Sequence, residues 1–388
     1  MTATTQDTSA PAGAVLPPLR IGPLTVDTPV VLAPMAGVTN PAFRRLCRDY
    51  GPGLYVTEMV SSRALVEGNA KTRGMMRPDP GAPVHSVQLS GVDPRVVGTA
   101  VRIAVDDFGA DHVDLNMGCP VPKVTRLGGG AALPVHRVLF RDIVRAAVRA
   151  AGTVPVTVKM RKGVDDATLT YVEAGRTAAA EGVAAVALHA RTAEQLYSGR
   201  ADWIAVAELK DAVTSVPVLG NGDVWQAGDA LRMIAETGCD GVVVGRGCLG
   251  RPWLFRDLAE AFAGRAVPPP PLLGEVVAVM RRHVRLLAEL RDDEYLGVRD
   301  FRKHVGWYLT GYPAGPERRR RMAQASSLEE LDGLLGELDP TTELPADVWH
   351  LPRGHLHGPR PVTLPERWRE TADDPTPPEG ADVESSGG

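Results

Sequence analysis

The chain has 388 residues, 44% of them hydrophobic and 23% charged, with a formal net charge of -4. That length exceeds an ordinary single domain, so one large domain with a smaller accessory is expected, and the composition excludes a wholly disordered chain. The mild negative balance excludes a protein coated in positive charge, so any RNA site has to be a local patch. The four cysteines, Cys47, Cys119, Cys239 and Cys248, form no CxxC pair and no zinc spacing, which favours reduced thiols over a disulfide framework and predicts no metal site. The N-terminus lacks a basic start followed by an apolar core, and no apolar run approaches the roughly 20 residues that span a bilayer, so no membrane association and a cytoplasmic location are expected.

In chain order, residues 1–18 are rich in Ala, Thr and Pro without periodicity and are expected to be a disordered extension. From there short apolar runs recur at 30–33, 54–57, 84–89, 112–115, 155–159, 184–188, 217–220 and 241–244, each followed by helical composition. Continuously apolar strands separated by helices are buried on both faces, and eight such units predict an α/β fold, a (β/α)8 TIM barrel over residues 19–266. A doubly wound open sheet is the structural alternative. Between strands, residues 137–151 read as a helix, with Ile143, Ala147 and Ala150 opposite Arg141, Arg145 and Arg149. Residues 252–262 read as a further helix, and the four prolines Pro268 to Pro271 mark a boundary. An amphipathic stretch over 275–292 then opens a small all-helical domain predicted over 272–338. Residues 339–388 turn to Pro, Glu, Asp, Gly and Ser and are expected to be a largely disordered tail.

Barrel enzymes carry their sites at the C-terminal ends of the strands, and here nearly every strand ends in a polar residue. Strand one runs into Pro34, Met35 and Ala36; later strands end at Gln88, at Asn116 to Cys119, at Lys159, at His189, at Asn221, Gly222 and Asp223, and at Gly245 and Arg246. Lys159 puts an ammonium at the barrel top, where burial is costly without an anionic partner such as a flavin or phosphate; otherwise the side chain snorkels to solvent. Gln88 and His189, taken singly, read equally as strand-end hydrogen bonders. The two glycine-rich loops at 220–223 and 245–247 can aim backbone N–H groups at a phosphate, with turn closure as the plainer reading. Cys119 lies in a loop with no packing duty, so its thiol is either a nucleophile or a general acid. The other cysteines read as small buried hydrophobes.

These segments resemble those of tRNA-dihydrouridine synthases over about residues 16–313. The matching stretches, in family order, are Leu32-Ala33-Pro34-Met35-Ala36-Gly37-Val38-Thr39, Gln88-Leu89-Ser90-Gly91, Asp114-Leu115-Asn116-Met117-Gly118-Cys119-Pro120, Val158-Lys159-Met160-Arg161, His189-Ala190-Arg191-Thr192, Asn221-Gly222-Asp223 and Gly245-Arg246-Gly247. The stretch from Arg302 through Lys303 to Tyr308 resembles the bacterial B-type branch. The resemblance implies FMN on the barrel mouth, contacted by Pro34, Met35, Ala36, Gln88, Lys159, His189, Asn221, Gly222, Asp223, Gly245 and Arg246. It further implies Asn116 on the target uracil, NADPH as reductant, hydride from reduced FMN to uracil C6, and Cys119 as the proton donor to C5.

A tRNA partner needs cations, and 276–325 holds 11 Lys and Arg against 6 Asp and Glu, densest from Arg318 to Arg321. Arg302 and Lys303 belong to this patch and are the expected tRNA contacts. An FMN barrel acting on a free pyrimidine, of the dihydroorotate or dihydropyrimidine dehydrogenase kind, is the competing enzyme reading, and a non-catalytic RNA-binding barrel the competing non-enzyme one. Which uridine is modified, and the oligomeric state, stay open.

Overall fold

The computed structural model describes residues 15–348, 350–354, 358–378 and 380–381. Of the extension expected over 1–18, positions 1–14 lie outside the described residues, while Leu16 donates its backbone N–H to the Phe262 carbonyl at 2.8 Å. Two short strands come first, β1 (Leu19–Ile21) and β2 (Leu24–Val26), paired antiparallel. The eight expected strands follow: β3 (Val30–Leu32), β4 (Leu54–Ser61), β5 (Ser86–Ser90), β6 (His112–Met117), β7 (Val156–Arg161), β8 (Ala185–His189), β9 (Val218–Asn221) and β10 (Gly241–Val244). Each pairs in parallel with the next, and β10 pairs with β3 to close the barrel.

The strand sequences explain the closure. Alternate residues point into the barrel and out to the helices. Val31, Val56, Ala187, Leu219 and Val243 face one shared interior cluster, while Val30, Leu32, Val186, Val218 and Val242 join the outer core with the helices. The β1–β2 hairpin is a feature the sequence reading missed. It supplies Leu19 and Ile21 to the interior cluster, so it plugs the barrel at the end opposite the strand C-termini. Ile21 is 1% exposed, and burying such a side chain contributes about 1.5–3 kcal/mol.

Among the outer helices, Arg137–Ala151 buries Leu139, Phe140, Ile143, Val144 and Ala147 and turns Arg145 outward to an ion pair with Glu181 at 2.7 Å. The accessory region contains helices Leu273–Arg291, Glu294–Tyr308, Pro316–Met322 and Leu328–Gly336. Val276, Met280, Leu287, Phe301, Val305 and Leu331 form its core, which also takes in Ala42, Leu46 and Trp253 from the barrel, so the two regions share one apolar seam.

The tail differs from the expectation of disorder. Arg353 is 3% exposed and donates to the Trp307 and Thr310 carbonyls of the helical region (both 3.3 Å), and Trp368 is 4% exposed and packs with the barrel's outer core. Composition misleads here because a few anchors suffice. One buried indole and one buried arginine hold a proline-rich segment that has little conformational freedom to lose. Positions 382–388 lie outside the described residues.

Candidate active site

At the mouth of the barrel a recess of about 520 Å³ is lined by Pro34, Met35, Lys159, His189, Asn221, Gly222, Asp223, Gly245 and Arg246, together with Tyr197 and Trp225. Every residue expected to hold the cofactor is therefore gathered there except Ala36, next to Met35, and Gln88, which sits deeper in the barrel.

Strand alternation builds the recess. Lys159 and Arg161 are two apart on β7 and so project to one side, while Arg191 follows the end of β8 in a tight turn, its N–H donating to the His189 carbonyl at 2.7 Å. The Lys159 ammonium donates to Asn221 Oδ1 at 3.0 Å, while Asn221 Nδ2 donates to the Val243 carbonyl at 2.7 Å, which fixes the amide orientation. Burial, then Arg161, pushes the lysine down to about 8, with Asp114 pulling the other way. Burial, reinforced by Arg161, Lys159, Arg191 and Arg246, holds His189 well below its usual range, so the imidazole is neutral at pH 7. Burial likewise lowers Arg246, whose guanidinium lies over the rings of Tyr197 (4.4 Å) and Trp225 (5.1 Å).

Asp223 offsets the arginines on the loop side of the recess. Arg191 Nη2 donates to both of its carboxylate oxygens at 2.8 Å, and Arg246 lies 3.8 Å from it. Arg191 Nη1, by contrast, is buried with no hydrogen-bond partner among the described residues. It lies 3.7 Å from where a Cβ on Gly222 would sit, and Gly222 has φ 129°, a conformation only glycine tolerates well. An unpaired donor on a buried guanidinium is costly. An anion beside the Gly222 backbone would satisfy it, so the residues present fit a phosphate-bearing cofactor.

The thiol side is organised by a hydrogen-bond ladder inside the barrel. Asn116 Oδ1 accepts from the N–H of Gly118 (3.2 Å) and of Cys119 (2.9 Å), fixing the loop after β6. Asn116 Nδ2 donates to Gln88 Oε1 (2.8 Å), and Gln88 Nε2 donates to Asp114 Oδ2 (2.7 Å). Thr157 Oγ1 donates to Asp114 Oδ1 (2.6 Å), and His112 bridges Thr157 (3.0 Å) and Ser86 (2.7 Å). Gln88 thus has both ends of its amide engaged within the barrel. The expected uracil contact, Asn116, likewise has both amide atoms in the ladder. Burial pushes Asp114 up to about 6 and His112 down to about 4.

Cys119 is partly exposed, whereas Cys47, Cys239 and Cys248 are buried. Burial pushes its thiol up; the Val121 N–H and the Arg161 charge pull the other way, and the net effect keeps it protonated at neutral pH. Arg161 ties the loops together, donating to the carbonyls of Gly118 (3.1 Å), Thr192 (2.8 Å) and Leu196 (2.8 Å). The sequence reading did not single out Arg161, Arg191, Tyr197 or Trp225. For Arg161 the signal was available as the i, i+2 offset from Lys159.

From the helical region, Lys303 reaches the mouth and donates to the Gly37 carbonyl, while the Gly37 N–H is held by Glu58. Arg302 turns back into its own region, donating to the Ala325 carbonyl at 2.9 Å. The arginine run is largely neutralised: Arg318 and Arg321 pair with Glu337 (3.5 Å each), Arg320 with Glu317 (2.6 Å), and Arg319 donates to the carbonyls of Leu309 and Tyr312 (2.6 Å each).

Comparison with known proteins supplies the remaining observations. A family model described as dihydrouridine synthase matches residues 31–342. A probable tRNA-dihydrouridine synthase of Mycobacterium tuberculosis is 55% identical over 381 residues, covering 96% of this chain and 97% of that one. Its counterpart in Mycobacterium leprae is 53% identical over 387 residues, covering 92% and 100%. The tRNA-dihydrouridine synthase B of Pseudomonas aeruginosa is 40% identical over 317 residues, covering 81% and 92%. Among solved structures, histamine dehydrogenase from Rhizobium sp. 4-9 superposes with a TM-score of 0.51 at 13% identity, over 84% of this chain and 65% of that one, a likeness of fold alone.

Proposed function

The chain belongs to the dihydrouridine synthase family, and from that premise we propose that it reduces the C5=C6 bond of a uridine in the tRNA D-loop, with FMN as cofactor, NADPH as electron donor and Cys119 as the proton donor. Held by the recess residues, reduced FMN would supply the hydride that uracil C6 requires. The chain's own residues bind the cofactor, orient the base and deliver a proton to C5.

Lys159 and Arg191, with the backbone at Gly222 and Gly245 and the Arg246 guanidinium, are suited to hold the cofactor's anionic parts. Pro34, Met35 and Ala36 offer it an apolar wall. A buried ammonium at Lys159 stabilises negative charge that grows on an electron-rich ring. Cys119 meets the requirement for a general acid, since its proton is present at neutral pH and its backbone is pinned by Asn116. After donating, the thiolate regains a proton from water. The uridine has to leave its stack to reach the recess, and Lys303 at the mouth gives the helical region a cation beside the path of the RNA. Such a tRNA is met in the cytoplasm, and among the described residues no helix is long and apolar enough to cross a membrane.

The observation that carries this reading is a partly exposed thiol on the loop after β6, which Arg161 ties to the loop bearing Tyr197, beside a cationic recess with an unpaired guanidinium nitrogen. The test is Cys119→Ala, with dihydrouridine in tRNA counted by mass spectrometry after nuclease digestion. The variant is expected to keep its flavin and its reduction by NADPH while product formation falls by about 10²–10⁴. Product at the wild-type rate would remove Cys119 from this role.

A further inference from the structure

Past residue 342, where the match to the family ends, the chain runs across the same barrel face that carries the recess. Arg360 donates its backbone N–H to the Glu194 carbonyl in the loop after β8 at 2.9 Å, and Arg369 pairs with Asp165 in the loop after β7. Trp368 then enters the loop after β6, the one that begins at Cys119. Its ring stacks on His136 with centroids 3.4 Å apart and planes at 13°. Its Nε1–H donates to the Ala132 carbonyl at 2.9 Å, and its own carbonyl lies 2.8 Å from His136 Nε2. Just beyond, the Arg137 N–H donates to the Ala372 carbonyl at 2.9 Å and the Arg137 guanidinium makes two hydrogen bonds of 3.0 Å to Asp373.

Trp368 and Cys119 pack on the same short stretch of this loop. Ala131 donates its N–H to the Cys119 carbonyl at 3.0 Å. Gly130 has φ 55°, and a Cβ there would come within 2.4 Å of that same carbonyl, while a Cβ at Gly128 would come within 2.7 Å of the Trp368 ring. Cys119 therefore packs against Gly130 and Ala131, and the indole against Gly128 and Ala132 of the same short stretch.

We infer that Trp368 is a positioning residue for Cys119, holding the loop so that the thiol stands at a fixed place over the recess. The inference rests on the reading of Cys119 as proton donor. A displacement of about 1 Å in such a group can cost about a hundredfold in rate, so a brace on the stretch that Cys119 packs against has kinetic weight.

The test uses the full-chain, flavin-loaded enzyme. Trp368→Ala is expected to lower kcat for dihydrouridine formation about tenfold or more, with KM for tRNA and the rate of flavin reduction by NADPH unchanged within about twofold. Alkylation of Cys119 by iodoacetamide, followed by peptide mass spectrometry, is expected to accelerate several-fold. Trp368→Phe keeps the ring against His136 but lacks the donor to Ala132, and should fall between. Unchanged kcat and alkylation in Trp368→Ala would overturn the inference, as would a change confined to KM or a loss of flavin that accounts for the whole loss of rate. Should Trp368→Ala fail to fold, Trp368→Phe decides, and wild-type kcat with wild-type alkylation in it overturns the inference equally. Product formation by Cys119→Ala would sink the proton-donor reading, and this inference with it, in an assay where Trp368 is intact, so the two failures are told apart.

Discussion

The two sides of the barrel mouth are built differently. On the side of β7 to β10, side chains at the strand ends converge directly: Lys159 reaches Asn221 on β9, and Arg191 and Arg246 share Asp223. On the side of β6, Cys119 stands on a loop held from below by the Asn116–Gln88–Asp114 ladder and braced by Trp368, more than two hundred residues away in sequence. The first side is a feature of rigid strands, which makes it suited to a bound cofactor. The second has a loop's freedom limited by contacts, which suits a group that must meet a base arriving from outside.

That contrast can be broken on the cofactor side first. Arg191→Ala removes both the Asp223 pair and the unpaired Nη1, and flavin affinity measured by fluorescence titration is expected to fall by about 10–100-fold, since a charge-assisted hydrogen bond contributes about 1.5–3 kcal/mol. The alkylation rate of Cys119 should barely move. A variant that keeps flavin at wild-type affinity would remove the anion reading of that nitrogen.

A smaller effect concerns Lys159, whose ammonium is lowered to about 8. Binding an anion favours the charged form, so above pH 8 the cofactor must bring a proton with it. Flavin affinity is expected to weaken by up to about tenfold per pH unit above 8 and to be flat between 6 and 8. Lys159→Met should bind more weakly and lose this dependence. A pH-independent wild type would refute it.

A third effect is on stability rather than on cofactor affinity and lies where the two sides meet, at Asp114, which is raised to about 6. Between about pH 4 and 6 the folded chain retains a proton that the unfolded chain releases, so stability falls as pH rises through that window, by about 3 kcal/mol for a shift of about two units. Asp114→Asn, which cannot titrate, should flatten the pH dependence of the urea midpoint there. An equal slope in both proteins would assign the titration to another group.

How much of this was legible in the sequence follows the same division. The eight barrel strands could be read because burial on both faces leaves continuous runs such as Val242 to Val244, whereas β1 and β2, three residues each, are too short to carry a period. Lys159, His189 and the two glycine-rich loops stood out because a polar residue ending an apolar strand is locally visible. Gln88 was expected as a cofactor contact through the family resemblance, whereas the hydrogen bonds its amide makes depend on Asp114 and Asn116 from the neighbouring strand, which its own position does not reveal. Arg318 to Arg321 read as free charge because Glu337, which takes two of them, lies on a separate helix turn. Trp368 was invisible for a related reason: its partners, His136 and Ala132, are distant in sequence, and the segment around it has the composition of disorder.

The hairpin beneath the barrel has a consequence for the order of events. With Leu19 and Ile21 packed into the lower end of the barrel, the recess opens on the side of the strand C-termini, and on the reading proposed above reductant and base share that approach. Two ligands that share one approach would occupy the recess in turn rather than together, which ties the order of the proposed half-reactions to the hairpin beneath the barrel.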